Sequence, residues 1–158
     1  MTKVAVVGVG NILMGDEGIG VKAVNALKKS ELSEETKIFD AGTAFYALIN
    51  ELVKFDKLII VDAVRNECSP GTIYRFGLKE IKEKPERLLS LHEVGVVETL
   101  MLESLVSTVP EEIVFIGIEP EKIEPSMELS PVIKGKLPEL VQMIIKEIQR
   151  TNEKIVER

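Results

Sequence analysis

Apolar residues fall in short unbroken runs, and segments of helical spacing separate those runs along the chain. Lys3–Val9 shows no polar alternation, which predicts a strand buried on both faces. Ile19–Lys29 places Val21, Val24 and Leu27 on one side of an amphipathic helix. Thr36–Asp40 reads as a short strand leading into Asp40-Ala41-Gly42-Thr43, and Ala44–Phe55 as a helix with Leu48, Leu52 and Phe55 at helical spacing. Lys57–Asp62 is a third strand, again apolar on both faces. After the turn Ser69-Pro70-Gly71, Thr72–Phe76 is a fourth.

Gly77–Leu89 is charged and holds Pro85, so an exposed irregular connection is expected there. Ser90-Leu91-His92-Glu93 has the Ser-x-x-Glu form of a capping box and predicts a helix to about Ser107. Ile113–Ile118 is the fifth strand, and 119–129 is a loop with Pro120 and Pro125. Ser130 is placed to cap a long final helix from Pro131, a position where proline is well tolerated. The polar tail after about Thr151 is expected to fray. Alternating strands and helices imply an α/β fold: a largely parallel sheet with helices on both faces. No repeat or linker divides the chain, so 1–158 reads as a single domain.

Composition narrows the function. Hydrophobic residues make up 45% and charged residues 29% of 158, as in a water-soluble globular protein. The net charge of −6 argues against nucleic acid as a partner, because phosphate binding needs a basic face. No apolar stretch is long enough to insert in a membrane. Met1-Thr2-Lys3 followed by an apolar run faintly resembles a signal peptide. Asn11, Asp16 and Glu17 break that run, and no small-residue cleavage site follows, so a cytoplasmic protein is expected. Cys68 is the single cysteine and His92 the single histidine, so neither a disulfide nor a two-imidazole mechanism is available within one chain.

The chemistry concentrates at strand ends. Asn11-Ile12-Leu13-Met14-Gly15-Asp16-Glu17-Gly18-Ile19-Gly20 follows the first strand as a glycine-rich turn entering a helix. Phosphate-binding turns share that shape, but Asp16 and Glu17 would repel an anion; carboxylates there suit a cation. Ligands of open α/β sheets gather at the carboxyl ends of the strands. Glu17 follows the first strand, Asp40 ends the second, Asp62 ends the third, and His92 lies after the fourth. Each has an ordinary alternative as a turn former or helix cap. Two carboxylates and one imidazole would suit a borderline divalent ion and leave coordination positions open. Near a helix N-terminus, His92 would be held neutral, with a lone pair for a metal.

Other motifs are incomplete. There is no His-Glu-x-x-His, since position 96 is Val96, and no Gly-x-Ser-x-Gly elbow. A dinucleotide fingerprint would need glycine where Leu13 stands. A Cys68–His92 nucleophile pair has no support in the local sequence.

Gly8-Val9-Gly10-Asn11-Ile12-Leu13, Asp16-Glu17-Gly18-Ile19-Gly20, Asp40-Ala41-Gly42-Thr43, Ile60-Val61-Asp62-Ala63 and the segment around His92 together resemble the nickel–iron hydrogenase maturation endopeptidases over nearly the whole chain. The resemblance implies a three-layer α/β/α fold with a twisted, mostly parallel five-stranded sheet. It implies an endopeptidase that removes the C-terminal extension of a [NiFe] hydrogenase large-subunit precursor after nickel insertion. The family's metal ligands map onto Glu17, Asp62 and His92. The nickel would belong to the substrate, and zinc or cadmium could take its place in a purified sample. Asp16 or Asp40 would then be the spare acid available as a general base. Ala41 stands where the family often has glycine. The alternatives are a nucleotide- or dinucleotide-binding enzyme, which the glycine turn suggests, and a non-catalytic nickel-binding chaperone with the same ligands.

Overall fold

A computed structural model of the chain describes the backbone of residues 2–83 and 91–156, and the side chains of residues 2–81 and 95–150. Five strands form one sheet in the order β2-β1-β3-β5-β4. They are β1 (Val4–Val9), β2 (Thr36–Gly42), β3 (Lys57–Ala63), β4 (Ile73–Gly77) and β5 (Glu112–Ile118). β4 alone runs antiparallel, on the edge beside β5. β1 and β3 are buried at every position, as their unbroken apolar runs predict.

Helices cover both faces. On one side, α1 (Ile19–Leu27) and α5 (Pro131–Val156) pack Ile19, Val24, Leu27, Ile133, Leu140 and Ile144 against Val6, Ile59, Val61 and Ile116. On the other, α2 (Ile49–Leu52), α3 (Leu78–Glu83) and α4 (Leu91–Val106) pack Ile49, Leu52, Ile81, Val96 and Leu100 against Val7, Leu58, Ile60 and Phe115. The result is the three-layer α/β/α arrangement expected from the sequence.

The structure departs from the sequence reading in three elements. The helix expected over Ala44–Phe55 is a 3-10 turn, Phe45–Leu48, followed by the short α2. β2 continues past Asp40 to Gly42, with its register against β1 shifting between Gly8 and Val9. The charged connection after β4 is not wholly irregular: it begins as α3, where Leu78 and Ile81, three residues apart, face the core, and Ile81 is fully buried. Residues 84–90, and with them the Ser90 capping box, lie outside the described residues.

A charged cluster fixes α5 to the amino-terminal end of the sheet. Lys57 opens β3 and is 1% exposed. Its Nζ donates to Glu147 Oε1 at 3.0 Å and lies 3.3 Å from Glu112. Arg75 on β4 grips both Glu147 oxygens at 2.8 Å, the bidentate geometry that suits a guanidinium. The opposite, carboxyl end of the sheet is left to the loops that carry the candidate site.

Close backbone packing brings that end together. Gly20 in α1 sits where a Cβ would strike the carbonyl oxygens of Val9 and Val61, and Gly8 faces it from β1. The helix therefore rests almost directly on β1 and β3, which sets where the turn before it must begin.

Candidate functional site

From β1 the chain passes through α1 on one face to β2, then returns through α2 on the other face to β3. The chain leaving β1 thus turns toward β2, whereas the chain leaving β3 turns toward β4 beyond β5, and this divergence opens a crevice at the carboxyl ends of β1 and β3. Gly10 and Asp62 stand at this point.

Gly10 is the hub. Its N–H donates to the Gly42 carbonyl at 2.8 Å, closing the end of β2 onto β1. Its φ of +138° is a backbone region that favours glycine. A Cβ on Gly10 would collide with the Glu17 carbonyl oxygen, and it would lie 3.5 Å from Asp62 Oδ1. The backbone of Glu17 and the carboxylate of Asp62, two of the three expected metal ligands, thus both approach one residue that has no side chain. Asp62 is 3% exposed, and its Oδ1 accepts the Ala63 N–H at 2.8 Å, which fixes the carboxylate at the end of β3. Glu17 is half-buried in the 3-10 turn Gly15–Gly18.

Asp16, its neighbour, is placed quite differently. It is fully buried and reaches across to the loop between β5 and α5. Its Oδ2 accepts the N–H groups of Glu121 at 3.0 Å and Lys122 at 2.8 Å, and the Ser130 hydroxyl at 2.7 Å. Its Oδ1 accepts the Ser130 N–H at 2.7 Å. Backbone bonds run alongside, from Gly15 N to Ser126 O at 2.8 Å and from Ser126 N to Leu13 O at 3.0 Å. Asp16 caps neither the 3-10 turn nor α1, whose N-cap is Gly18. Ser130 does begin α5, since its carbonyl accepts the Lys134 N–H at 2.9 Å, but its hydroxyl donates to Asp16.

Asp40 lies at the same edge of the sheet on the outer strand β2, one strand from Gly10. It is exposed, and its Oδ1 accepts the Gly42 N–H at 3.0 Å. His92 falls in the first turn of α4, and its side chain lies outside the described residues. Among the described residues, no three metal-capable side chains converge.

Glu119, at the end of β5, was not anticipated. It is 6% exposed, and its Oε1 accepts the N–H groups of Asn66 at 2.8 Å and Cys68 at 3.1 Å and the Tyr74 hydroxyl at 2.9 Å. Burial, the Cys68 side chain and Glu119 together push the Tyr74 hydroxyl well above its ordinary value, so it stays a donor. These bonds anchor the loop that follows Asp62. A glutamate directly after an apolar strand was the available signal. Cys68 is exposed, and its thiol donates to the Asn66 carbonyl at 3.6 Å.

No described helix is long and apolar enough to cross a membrane.

Comparison with known proteins gives a consistent result. The profile of the HycI family, hydrogenase maturation protease, matches residues 21–147. The Escherichia coli hydrogenase 2 maturation protease is 29% identical over 158 residues, covering 99% of this chain and 96% of that one. The hydrogenase expression/formation protein HupD of Thiocapsa roseopersicina is 33% identical over 90% of this chain and 66% of its own. Among solved structures, the E. coli hydrogenase maturating endopeptidase HybD superposes with a TM-score of 0.87 at 29% identity, over 94% of this chain and 93% of that one. The [NiFe] hydrogenase maturation protease HybD from Thermococcus kodakarensis gives 0.78 at 29% identity, over 91% and 97%. With its fold in agreement with these matches, the chain belongs to the hydrogenase maturation protease family and is an endopeptidase.

Proposed function

We propose that this endopeptidase cleaves the C-terminal extension from a nickel-loaded [NiFe] hydrogenase large-subunit precursor, and that it recognises the precursor's nickel through Glu17, Asp62 and His92. The observation that carries this reading is the close approach of the Glu17 backbone and the Asp62 carboxylate to Gly10 at the crevice between β1 and β3. Position 92 lies in the first turn of α4, the helix that borders the same end of β1 through Val96 and Gly95. Two carboxylates and an imidazole leave positions open on a divalent ion, as required if the precursor keeps ligands of its own. The nickel is then part of the substrate, and zinc or cadmium would occupy the same ligands in a purified sample.

The reaction breaks one peptide bond and consumes one water, leaving a new carboxylate on the subunit and a free amine on the released peptide. A bound divalent ion can polarise the scissile carbonyl. Of the two spare acids, Asp16 already accepts four hydrogen bonds, so we assign it to positioning the turn that presents Glu17. Asp40 keeps solvent access at the same edge and is the remaining candidate for a general base. Two carboxylates flanking the crevice also disfavour a nucleotide phosphate there, and endopeptidase membership of the family weighs against a purely chaperone role.

The test is incubation with a large-subunit precursor, with and without nickel, followed by mass measurement of the released peptide. Release only from the nickel-loaded precursor, abolished by Glu17→Ala and by His92→Ala in folded protein, is expected. Normal trimming by either variant would overturn the ligand assignment.

A further inference from the structure

A groove of about 270 Å³ opens between the 3-10 turn Phe45–Leu48 and α4. Val9, Phe45 and Val96 line it and are buried, while Tyr46 and Leu102 stand on its borders 69% and 66% exposed. Gly95 also lines it, in the interior of a helix, where glycine is the least favourable residue apart from proline. Among the described residues, nothing in the fold calls for a glycine there. Its φ is not positive, and a Cβ added to it would meet no described atom within 4 Å. What the missing side chain does leave is open space in the groove.

We infer that this groove seats an extended segment of the hydrogenase precursor next to its metal, with a large side chain of that segment lying over Gly95. The inference rests on the proposed function and deepens it. Continuity with the candidate site selects the occupant. Val9 forms part of the groove, and the next residue, Gly10, borders both Glu17 and Asp62. A chain whose metal reaches those carboxylates therefore passes the mouth of the groove. A concavity of this size accepts the side chains of a peptide, whereas a second copy of the chain would bring a broad face. Glu98 on the border, with the net charge of −6, favours an uncharged or cationic segment over an acidic one.

The test uses Gly95→Leu, which fills the groove from a position where the fold has room, with Gly95→Ala as the control for the helix. For nickel-loaded precursor, Gly95→Leu is expected to raise KM at least about tenfold with kcat unchanged and Gly95→Ala to raise it by less, and neither variant lowers Tm. An unchanged KM in Gly95→Leu overturns the inference. A photo-crosslinking amino acid at Leu102 provides a readout that does not depend on cleavage. Capture of the precursor is expected; capture of a second copy of the chain, or no capture, overturns the groove assignment. Glu17→Ala is run in parallel. If Gly95→Leu behaves as the parent while Glu17→Ala is inactive, the groove assignment fails and the proposed function stands. If the parent releases no peptide although the precursor crosslinks at Leu102, the proposed function fails instead.

Discussion

The Asp16 carboxylate takes two hydrogen bonds from Ser130, one from its N–H and one from its hydroxyl, both 2.7 Å long, across 114 residues of sequence. Together with the bonds from Glu121 and Lys122, they join the turn after β1 to the loop before α5. Replacing Asp16 with alanine would leave buried donors without their acceptor. Loss of about 2–4 kcal/mol is expected for Asp16→Ala, against about 1 kcal/mol for Ser130→Ala, which removes only the hydroxyl. Urea unfolding of the two variants measures the difference, and near-parental stability of Asp16→Ala would refute the clamp.

Gly10→Ala addresses the geometry of the site from the backbone side. The new Cβ meets the Glu17 carbonyl, and φ of +138° is strained for any residue with a Cβ. The 3-10 turn that carries Glu17 must move away from Gly10. We expect a stability loss of about 1–3 kcal/mol and, in the protein that remains folded, at least tenfold weaker binding of zinc or nickel by calorimetry. Parental metal affinity in this variant would show that Glu17 and Asp62 do not act together.

The charged cluster at the far end of the sheet makes stability depend on acid. Burial alone would raise the Glu147 carboxyl, but hydrogen bonds from Arg75 and Lys57, with their charges, outweigh it and bring it down from 4.5 to about 2. Because the folded value is the lower one, the stabilisation is complete above the unfolded value and is lost as the pH falls from 4.5 towards about 2. It amounts to up to about 3 kcal/mol. Glu147→Gln should flatten the acid side of the stability profile and lower neutral-pH stability by about 3–5 kcal/mol, since Lys57 stays buried. Melting temperatures measured from neutral pH down through this range test both effects.

Glu119 governs the loop after Asp62. Glu119→Ala removes the acceptor shared by Asn66, Cys68 and Tyr74. The expected cost is about 1–3 kcal/mol, with faster reaction of Cys68 with a thiol reagent as the loop loosens. Tyr74→Phe, which removes only one donor, should cost about 1 kcal/mol. Equal Cys68 reactivity in the parent and in Glu119→Ala would argue that the loop is held by other contacts.

Much of the fold was legible because its signals are local. β1 and β3 are buried on both faces, and each residue of their apolar runs shows it. Val24 and Leu27, two of the apolar residues at helical spacing, lie on the side of α1 that meets the sheet, and Val21 is buried outside that cluster. Where the signal was weak, the reading slipped. α3 has only Leu78 and Ile81 to mark it among charged residues, and Ala44–Phe55 kept its apolar spacing while its backbone tightened into a 3-10 turn.

The sequence by itself determined that Glu17, Asp40 and Asp62 stand toward the carboxyl edge of the sheet, because strand positions are written in the apolar runs and that edge follows from their order. Only the tertiary structure separated Asp16 from Glu17, two adjacent carboxylates with the same local signature. One points into a loop more than a hundred residues away and is saturated by its donors; the other is half-buried, with its backbone against Gly10, the residue that Asp62 also approaches. Side-chain direction in a single turn and contacts between distant segments made that division, and neither leaves a periodic trace in the chain.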